Sequence, residues 1–120
     1  MDNLTTINEM KEIVKNFCEE RDWDQFHNAK DLAIGISTEA NELLQIFRFK
    51  SVAELEQIME SNRKTEIEEE LADVFYFVIR FAQMNGIDLS EAVTQKIEKN
   101  AKKYPVDKAK GCNKKYNEYK

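Results

Sequence analysis

The sequence predicts an all-α protein with four long helices, arranged like a four-helix bundle, and one short linking helix. Three glycines and one proline in 120 residues leave few positions for the tight turns that join strands. Over long windows the apolar residues recur with the period of a helix, about 3.6 residues, and do not alternate as in a strand. Without an internal repeat, the chain is most simply one helical domain over residues 1–105 and a basic tail over residues 106–120.

The first helix is predicted to begin near Thr6 and to end near Arg21. Thr6 and Glu9 have the spacing of a capping box, in which two side chains satisfy backbone N–H groups at the start of a helix. The residues that follow carry one apolar face. That face consists of Ile7, Met10, Ile13, Val14 and Phe17.

The second and third predicted helices are also marked by caps. Asn28 is a suitable N-cap for a helix that continues to about Phe47. Ser51 and Glu54 form another capping box, which opens a short helix over residues 52–59. We expect this short helix to link two longer ones.

The remaining long helices are separated by a glycine. One runs from about Lys64 to Asn85, where Gly86 can adopt the left-handed conformation of a helix C-cap. The next begins after Asp88 and is stopped by Pro105. Its apolar face consists of Leu89, Ala92, Val93, Ile97 and Tyr104. The lysine-rich tail beyond it is expected to be irregular or partly disordered unless a partner orders it.

The charge pattern argues against a protein that binds a nucleic acid polymer. The formal net charge is −5, so the chain as a whole repels a polyphosphate backbone. The balance reverses near the C-terminus, where a local basic patch could hold phosphate. Its lysines are Lys96, Lys99, Lys102, Lys103, Lys108, Lys110, Lys114, Lys115 and Lys120.

Cysteines and apolar runs indicate a protein of the reducing cytoplasm. Cys18 and Cys112 stand alone, with no CxxC motif, so neither a disulfide framework nor a zinc site is predicted. The N-terminus lacks the pattern of a signal peptide. The longest apolar run, Val74 to Ile79, is too short to span a bilayer. We therefore expect a soluble protein without a membrane partner.

Four carboxylates at matched spacing are the strongest functional signal. Glu39 and Glu42 are three residues apart in one predicted helix, and Glu70 and Asp73 are three apart in another. Residues at this spacing lie on one helix face, so each helix presents a pair of acids. Two facing pairs would form a set of hard oxygen ligands, which suits Mg²⁺ or Mn²⁺ with a phosphate completing the coordination.

A structural explanation of these acids stays open at this point. Glu39 falls on the apolar stripe of its helix, and the segment Leu71 to Ala82 admits only Asp73 and Arg80 as charges. Buried acids need a compensating cation. That cation could be a metal ion, or it could be a basic side chain of the protein. The candidates are Arg80, Lys30 and Arg48.

A second group of candidate residues lies on the last long helix. Lys96, Asn100 and Lys103 recur at spacings of four and three, so they share one face. Taken alone, this is most simply a solvated basic face. Beside a metal site, the same face could hold the phosphates of a nucleotide through charge and through the amide of Asn100.

Aromatic residues suggest where a base could bind. The single histidine, His27, lies near Trp23 just before the second helix, and aromatic rings with a polar donor can stack on a base and hydrogen-bond it. Phe49 and Tyr76 are possible further walls. A lone histidine is more often structural, and Phe49 could equally be a core residue.

Taken in order, these motifs resemble the MazG-like, all-α nucleoside triphosphate pyrophosphohydrolases. Glu39-Ala40-Asn41-Glu42 and Glu70-Leu71-Ala72-Asp73 are similar to the ExxE and ExxD pairs of that family. Trp23-Asp24-Gln25-Phe26-His27, Lys30-Asp31-Leu32 and the run from Lys96 to Pro105 look like its dCTP pyrophosphatase branch. The resemblance covers about residues 8 to 118. The chain departs from the family at Asn41, where Gly is frequent, and from the branch at Phe49, where Trp is frequent.

The resemblance implies a helical bundle assembled as a dimer or a dimer of dimers, with Mg²⁺ as cofactor and Mn²⁺ as a possible substitute. It also implies cleavage of a nucleoside triphosphate, dCTP or a modified dCTP in this branch, to monophosphate and pyrophosphate for nucleotide-pool sanitation. The implied metal ligands are Glu39, Glu42, Glu70 and Asp73. The implied phosphate contacts are Lys96, Asn100, Lys103 and Tyr104, and the implied base or sugar contacts are Trp23 and His27.

Two interpretations of function follow. In the first, a metal-activated water attacks the α-phosphorus, and Glu39 is the preferred residue to accept its proton. In the second, the chain is a helical adaptor without enzymatic activity, and the four acids form salt bridges at an interface between copies. Stabilisation by Mg²⁺ and nucleotide would favour the first, because only a folded site gathers acids from two helices.

Overall fold

The computed structural model describes residues 1–119, and every element of secondary structure within them is helical. The helices are α1 (Ile7–Glu20), α2 (Ala29–Phe47), α3 (Val52–Glu60), α4 (Lys64–Met84), α5 (Leu89–Lys103) and α6 (Val106–Ala109), with 3-10 turns at Asp24–Phe26 and Tyr116–Glu118. The all-α prediction is confirmed. None of the helices in residues 1–119 is long and apolar enough to cross a membrane.

The predicted caps explain where the helices begin. The hydroxyl of Thr6 accepts a hydrogen bond from the backbone N–H of Glu9 at 3.1 Å. Ser51 and Glu54 form both halves of a capping box, so the backbone N–H groups of these two residues are satisfied. Asp88 caps α5 in the same way as Thr6 caps α1. Local sequence therefore sets the start of these three helices, whereas α4 begins after Arg63 without a side-chain cap.

The chain divides into two compact units, and the first spans Met1–Gly86. In this unit α4 is the central helix and packs against α1, α2 and α3. One part of its core is a cluster of isoleucines from three helices, Ile46, Ile58 and Ile67. Leu43 and Phe47 pack against that cluster. These contacts fix α2 and α3 on α4.

Gly35 allows α2 and α4 to approach closely. A Cβ atom at this position would lie 2.5 Å from Cε1 of Phe77 and 2.6 Å from its Cδ1. Such distances are far below van der Waals contact, so the ring of Phe77 occupies the space that any other side chain would need. The absence of a side chain at residue 35 is therefore part of the helix packing.

Two predicted core residues of α1 are exposed. The side chains of Ile13 and Phe17 are 60% and 40% exposed, while Cys18 is completely buried. The helical period identified the side of α1 that faces α4. However, the contact with α4 is centred on Cys18, at the edge of the apolar stripe, and not on Ile13 and Phe17. Ile13 and Phe17 instead line a pocket beside α4.

The second unit begins at Ile87 and contains α5, α6 and the tail. The predicted apolar face of α5 is largely exposed, because Val93 and Ile97 are 59% and 62% accessible in the single chain. The tail is more regular than predicted, since it contains α6 and a 3-10 turn. The ring of Tyr104 explains this order: it makes edge contacts with Tyr116 at 5.9 Å and with Tyr119 at 6.0 Å.

Gly35→Ala should lower the free energy of unfolding by about 1–3 kcal/mol, which is typical of an overpacked core. Alanine favours a helix by about 1 kcal/mol over glycine, so any net loss must come from the clash with Phe77. Denaturant unfolding measures the effect. Adding Phe77→Leu should recover part of the loss, because it removes the ring. Equal stability of Gly35→Ala and the wild type would show that this contact is not close.

Candidate active site

Three of the four predicted carboxylates meet between α2 and α4. Glu39, Glu70 and Asp73 each place a carboxylate oxygen within 4.8 Å of the other two. Glu39 and Glu70 are half-buried, whereas Asp73 is exposed. The group therefore lies at the edge of the helix interface, partly shielded from water and still open to a ligand.

Glu42 lies outside this group of three, but it contributes to the raised pKa values of Glu39 and Glu70. Its own side chain is exposed. Burial is the main reason that the pKa of Glu70 is raised, and the neighbouring carboxyl of Glu42 contributes next. The same two effects, burial first and Glu42 second, raise the pKa of Glu39 to about 7. The structure thus brings all four acids into one electrostatic cluster.

The acids have unused hydrogen-bonding capacity. The Oε2 atoms of both Glu39 and Glu70 are buried and have no hydrogen-bond partner among the described residues. Buried polar atoms are nearly always paired in folded proteins, so two orphaned carboxylate oxygens side by side call for an explanation. A bound cation would satisfy both.

The donor set fits a hard divalent cation. Mg²⁺ binds oxygen at about 2.0–2.1 Å, so two ligands of one ion lie at most about 4.2 Å apart. The three carboxylate oxygens lie within 4.8 Å of one another, which is close to this limit. Small rotations of these side chains would bring them onto one ion. Carboxylates without a histidine or cysteine among them favour Mg²⁺ or Mn²⁺ over softer metals.

The basic side chains considered as structural partners are engaged elsewhere or lie apart. The guanidinium of Arg80 is fully buried and pairs with Asp24. The guanidinium of Arg48 lies 4.6 Å from the centroid of the Phe49 ring. Lys30 is exposed. The alternative in which Arg80 neutralises the acid cluster is therefore contradicted, because its charge is already compensated by Asp24 from the segment before α2.

An apolar pocket of about 410 Å³ opens directly beside Asp73. Two of its walls are predicted base contacts, Trp23 and Tyr76. A third aromatic ring, Phe17, makes edge contacts with Trp23 at 5.5 Å and with Tyr76 at 6.0 Å. Its volume is within the range of small-molecule sites. The remaining lining residues are Ile13, Val14 and Ala72.

Tyr76 is held in this wall by a contact that the sequence did not reveal. Its hydroxyl lies 3.1 Å from the sulfur of the buried Cys18. Burial raises the pKa of Tyr76 above its ordinary value, and the Cys18 contact adds to the shift. The phenol is therefore neutral, and its ring forms part of the wall of the pocket beside Asp73.

His27 lies against Trp23, with ring centroids 6.2 Å apart. Its Nδ1 accepts a hydrogen bond from Nε of Arg80 at 2.9 Å. Burial lowers the pKa of His27, and the nearby charge of Arg80 lowers it further against an opposing effect of Asp24. The imidazole is thus kept neutral.

Phe49 is not a core residue, because its side chain is 89% exposed. It does not belong to the pocket that Trp23 and Tyr76 line. Its backbone has φ of +63°, a left-handed conformation that is strained for a bulky side chain. Its predicted role at the base stays a prediction.

The predicted phosphate contacts all lie on or directly after α5. Lys96 and Lys103 are exposed, and Asn100 is half-buried. The ammonium of Lys103 lies 4.9 Å from the ring centroid of Tyr116. The backbone N–H of Tyr104 caps α5 by donating to the carbonyl of Asn100. Their shared face is as predicted, and their role toward phosphate stays a prediction.

Comparison with known proteins now gives the family. A model of the MazG-like family matches residues 34–119, which include all four acids. The dCTP pyrophosphatase 1 of Rattus norvegicus is 33% identical over 112 residues, which cover 92% of this chain. The chain belongs to the MazG-like family.

Two further proteins are similar to this chain over most of its length. The dCTP pyrophosphatase 1 of Homo sapiens is 31% identical over 114 residues, or 94% of this chain and 67% of the human one. The chain spans 66% of the length of the rat relative. A crystal structure of a pyrophosphatase from Archaeoglobus fulgidus is 40% identical with a TM-score of 0.78, covering 82% of this chain and 92% of that one.

Sequence reasoning missed the residues that support the MazG-like site. Arg80 was recognised as an unusual charge and left as one of three candidate partners of the acids, and the acid that binds it, Asp24, was not singled out. Cys18 was considered for disulfide and zinc chemistry, and its contact with Tyr76 was not predicted. Helix periodicity gave no signal for this pairing, since Arg80 follows Asp73 by seven residues and so shares a face of α4 with the acids instead.

In metal-free protein, the free energy of unfolding should fall as the pH rises from about 4.5 to about 7. The Glu39 carboxyl keeps its proton up to about pH 7 in the folded chain, but only to its ordinary pKa of 4.5 when unfolded. Between these values the folded state binds more protons, so raising the pH destabilises it. Mg²⁺ should restore the loss at pH 8. Thermal melts in EDTA and in Mg²⁺ measure both effects.

Glu39→Gln should flatten this pH dependence and weaken the response to Mg²⁺. Glu56→Gln is the matched control, because Glu56 is an exposed acid on α3 outside the cluster. It should behave as the wild type does. Identical melting temperatures of the wild type in EDTA at pH 5 and pH 8, with no response to Mg²⁺, would contradict the description of the cluster as a strained cation site.

Proposed function

We propose that this chain is a Mg²⁺-dependent nucleoside triphosphate pyrophosphohydrolase that converts dCTP, or a modified dCTP, to monophosphate and pyrophosphate. The observation that carries the proposal is the pair of orphaned Glu39 and Glu70 oxygens beside Asp73, next to an aromatic pocket. A nucleotide needs both features, because its phosphates require a cation and its base requires an apolar wall. The names of the mammalian relatives support dCTP as substrate.

The four acids are proposed to form one metal site, in which Glu39 also accepts a proton. Glu39, Glu70 and Asp73 hold the cation, and Glu42 completes the set from the neighbouring turn of α2. When bound, Mg²⁺ would lower the pKa of a coordinated water and neutralise charge on the triphosphate. Glu39 is the carboxylate proposed to accept the proton of that water, since it lies in the cluster beside Glu70 and Asp73. Nucleotide-pool sanitation is the role that this chemistry suits.

Residues of α5 are proposed to hold the phosphates. Lys96 and Lys103 supply positive charge to the departing pyrophosphate, and Asn100 supplies an amide hydrogen bond. Tyr104 lies directly after α5 and is proposed to form one wall of the phosphate pocket. Asn100 is the half-buried member of the face, between two exposed lysines. These roles rest on the shared face of α5 and on membership of the MazG-like family.

Trp23 and Tyr76 are proposed to receive the base. The pocket that they line also includes Asp73, so a base in it would place the attached phosphates toward the acids. His27 would add one hydrogen bond to base or sugar from its position against Trp23. Phe49 is proposed to approach the base when the nucleotide binds, because it is exposed and only partly covered by Arg48.

A homodimer or homotetramer is proposed as the working assembly. The central helix α4 leaves Leu71 and Phe75 exposed to 55% and 42%. Both line an apolar groove of about 790 Å³ between α4 and the N-terminal segment with α1. Contiguous exposed apolar surface on a single chain is typical of an interface. Light scattering measures the number of copies directly.

The adaptor alternative has less support. It requires basic side chains to neutralise the four acids, and the buried cation nearest in sequence, Arg80, is paired with Asp24. It also gives no reason for an aromatic pocket beside Asp73. Both interpretations predict an oligomer, so the assembly does not separate them, whereas turnover does.

Glu39→Gln, Glu70→Gln and Asp73→Asn should each reduce turnover about a hundredfold or more. A neutral amide binds Mg²⁺ far less well than a carboxylate, and the cation contributes several kcal/mol to charge stabilisation. The assay is a panel of nucleoside triphosphates with Mg²⁺, in which pyrophosphate and monophosphate are measured separately. Glu56→Gln is the control and should keep full activity. Release of orthophosphate instead, or normal turnover in the three variants, would overturn the proposal.

Trp23→Ala should raise the KM for dCTP and flatten the preference among nucleotides. Stacking of a base on an aromatic ring contributes about 1–3 kcal/mol, so the increase should be about fivefold to a hundredfold. Trp23 is the single tryptophan, so its fluorescence also reports binding when Ca²⁺ replaces Mg²⁺ to slow turnover. Unchanged emission at saturating dCTP, with unchanged selectivity in the variant, would place the base elsewhere.

A further inference from the structure

Arg80 is the largest fully buried side chain in residues 1–119, and its bonds connect α4 to the segment before α2. It forms an ion pair with Asp24 and donates from Nε to Nδ1 of His27 at 2.9 Å. A third bond goes to Gln83 on its own helix. A buried guanidinium is costly unless its donors are satisfied, so these bonds hold the segment that carries Asp24 and His27 in one place.

The bond from Arg80 determines which nitrogen of His27 carries a proton. Arginine has only donors and stays charged, so Nδ1 of His27 must be the acceptor and must be unprotonated. A neutral imidazole then carries its hydrogen on Nε2. Nε2 lies across the ring from the acceptor and makes no hydrogen bond within the described residues. The burial and charge that lower the pKa of His27 keep this neutral form.

The fixed segment also forms part of the proposed nucleotide pocket. Its first residue, Trp23, lies against His27 and lines the pocket that includes Asp73. Arg80 follows Asp73 by seven residues on α4, which is two turns or about 10.5 Å along one face. One face of α4 therefore holds the acids at one end and the support for His27 at the other, with the pocket beside the stretch between them.

We propose that Arg80 and Asp24 are a positioning pair that fixes Trp23 and His27 and leaves the Nε2–H of His27 as a donor for an acceptor atom of the bound nucleotide. This inference rests on the proposed function and deepens it. The pair selects the chemical class of base or sugar group that can face His27: a carbonyl oxygen, a ring nitrogen with a lone pair, or a hydroxyl oxygen. A group that offers only N–H donors is disfavoured, because two donors would face each other.

The tautomer can be observed without any activity. His27 is the single histidine, so protein labelled with ¹⁵N-histidine gives one imidazole spin system. At neutral pH the wild type should show the Nε2–H form with unprotonated Nδ1. In Arg80→Lys the charge remains but the planar fork is lost, so the spectrum should move toward a mixture of tautomers. A wild-type spectrum of the Nδ1–H form or of the charged ring would overturn the proposal.

Kinetics and binding test the link to the nucleotide. Arg80→Lys should raise the KM for dCTP about fivefold to tenfold, the effect of one hydrogen bond, with kcat changed less than about twofold. His27→Gln should retain more affinity than His27→Ala, because its amide can donate from a position similar to Nε2. An equal loss in His27→Gln and His27→Ala, or a fall in kcat alone in Arg80→Lys, would contradict the positioning role.

Gln83→Ala is the matched control. It removes a bond of Arg80 within α4 and leaves both bonds to the segment before α2, so tautomer and KM should stay as in the wild type. If Arg80→Lys does not fold, Asp24→Asn replaces it: the ion pair is lost, the Nε2–H form persists, and KM rises. An unchanged KM in Asp24→Asn would contradict the pair.

The proposed enzymatic function and the positioning role of Arg80 can be contradicted separately. If the wild type releases no pyrophosphate from any nucleotide, the proposed function fails, while the imidazole spectrum still decides whether Arg80 sets the tautomer. dCTP titrated with Ca²⁺ into wild type and Arg80→Lys, followed by Trp23 fluorescence, then decides the role in binding. Equal affinities would overturn it, and a fivefold weaker affinity of Arg80→Lys would support it.

Discussion

The close packing of α2 against α4 at Gly35 and Phe77 sets the geometry of the site. Glu39 follows Gly35 by one turn of α2, and Asp73 precedes Phe77 by one turn of α4. Because the two helices run in opposite directions past this contact, one turn forward on α2 meets one turn back on α4. The contact between a glycine and a ring therefore brings Glu39 to Asp73, and the next turn brings in Glu70. A side chain at residue 35 would separate the acids as well as the helices.

This packing places like charges together at a cost to the metal-free fold. Burial and mutual repulsion raise the pKa of Glu39 to about 7 and also raise that of Glu70, and two of their oxygens are left without partners. The apolar contacts of Ile46, Ile58 and Ile67 offset that cost in the same helix layer. Functional sites commonly concentrate such unfavourable groups, and a ligand of opposite charge relieves them.

Local signals in the sequence predicted the fold better than the site. Capping at Thr6, Ser51 and Asp88 depends on residues three apart, so it can be recognised without knowing what packs where. The spacing of the acids likewise predicted their faces. The pairing of Arg80 with Asp24 spans 56 residues, and no period of either helix encodes it. The positive φ of Phe49 was equally invisible, because nothing beside it in the sequence demands that conformation.

The partners of Arg80 also explain why Arg80 does not act as a counter-ion of the acids. Arg80 shares a face of α4 with Glu70 and Asp73, and a long guanidinium side chain could turn toward them as an internal counter-ion. Asp24 and His27 hold it two turns away instead. The buried Arg80 is thus compensated by an acid from the segment before α2, and none of the ion pairs found in residues 1–119 involves the four carboxylates. A cation from solution can then bind them without displacing a basic side chain, so its affinity is not reduced by an internal competitor.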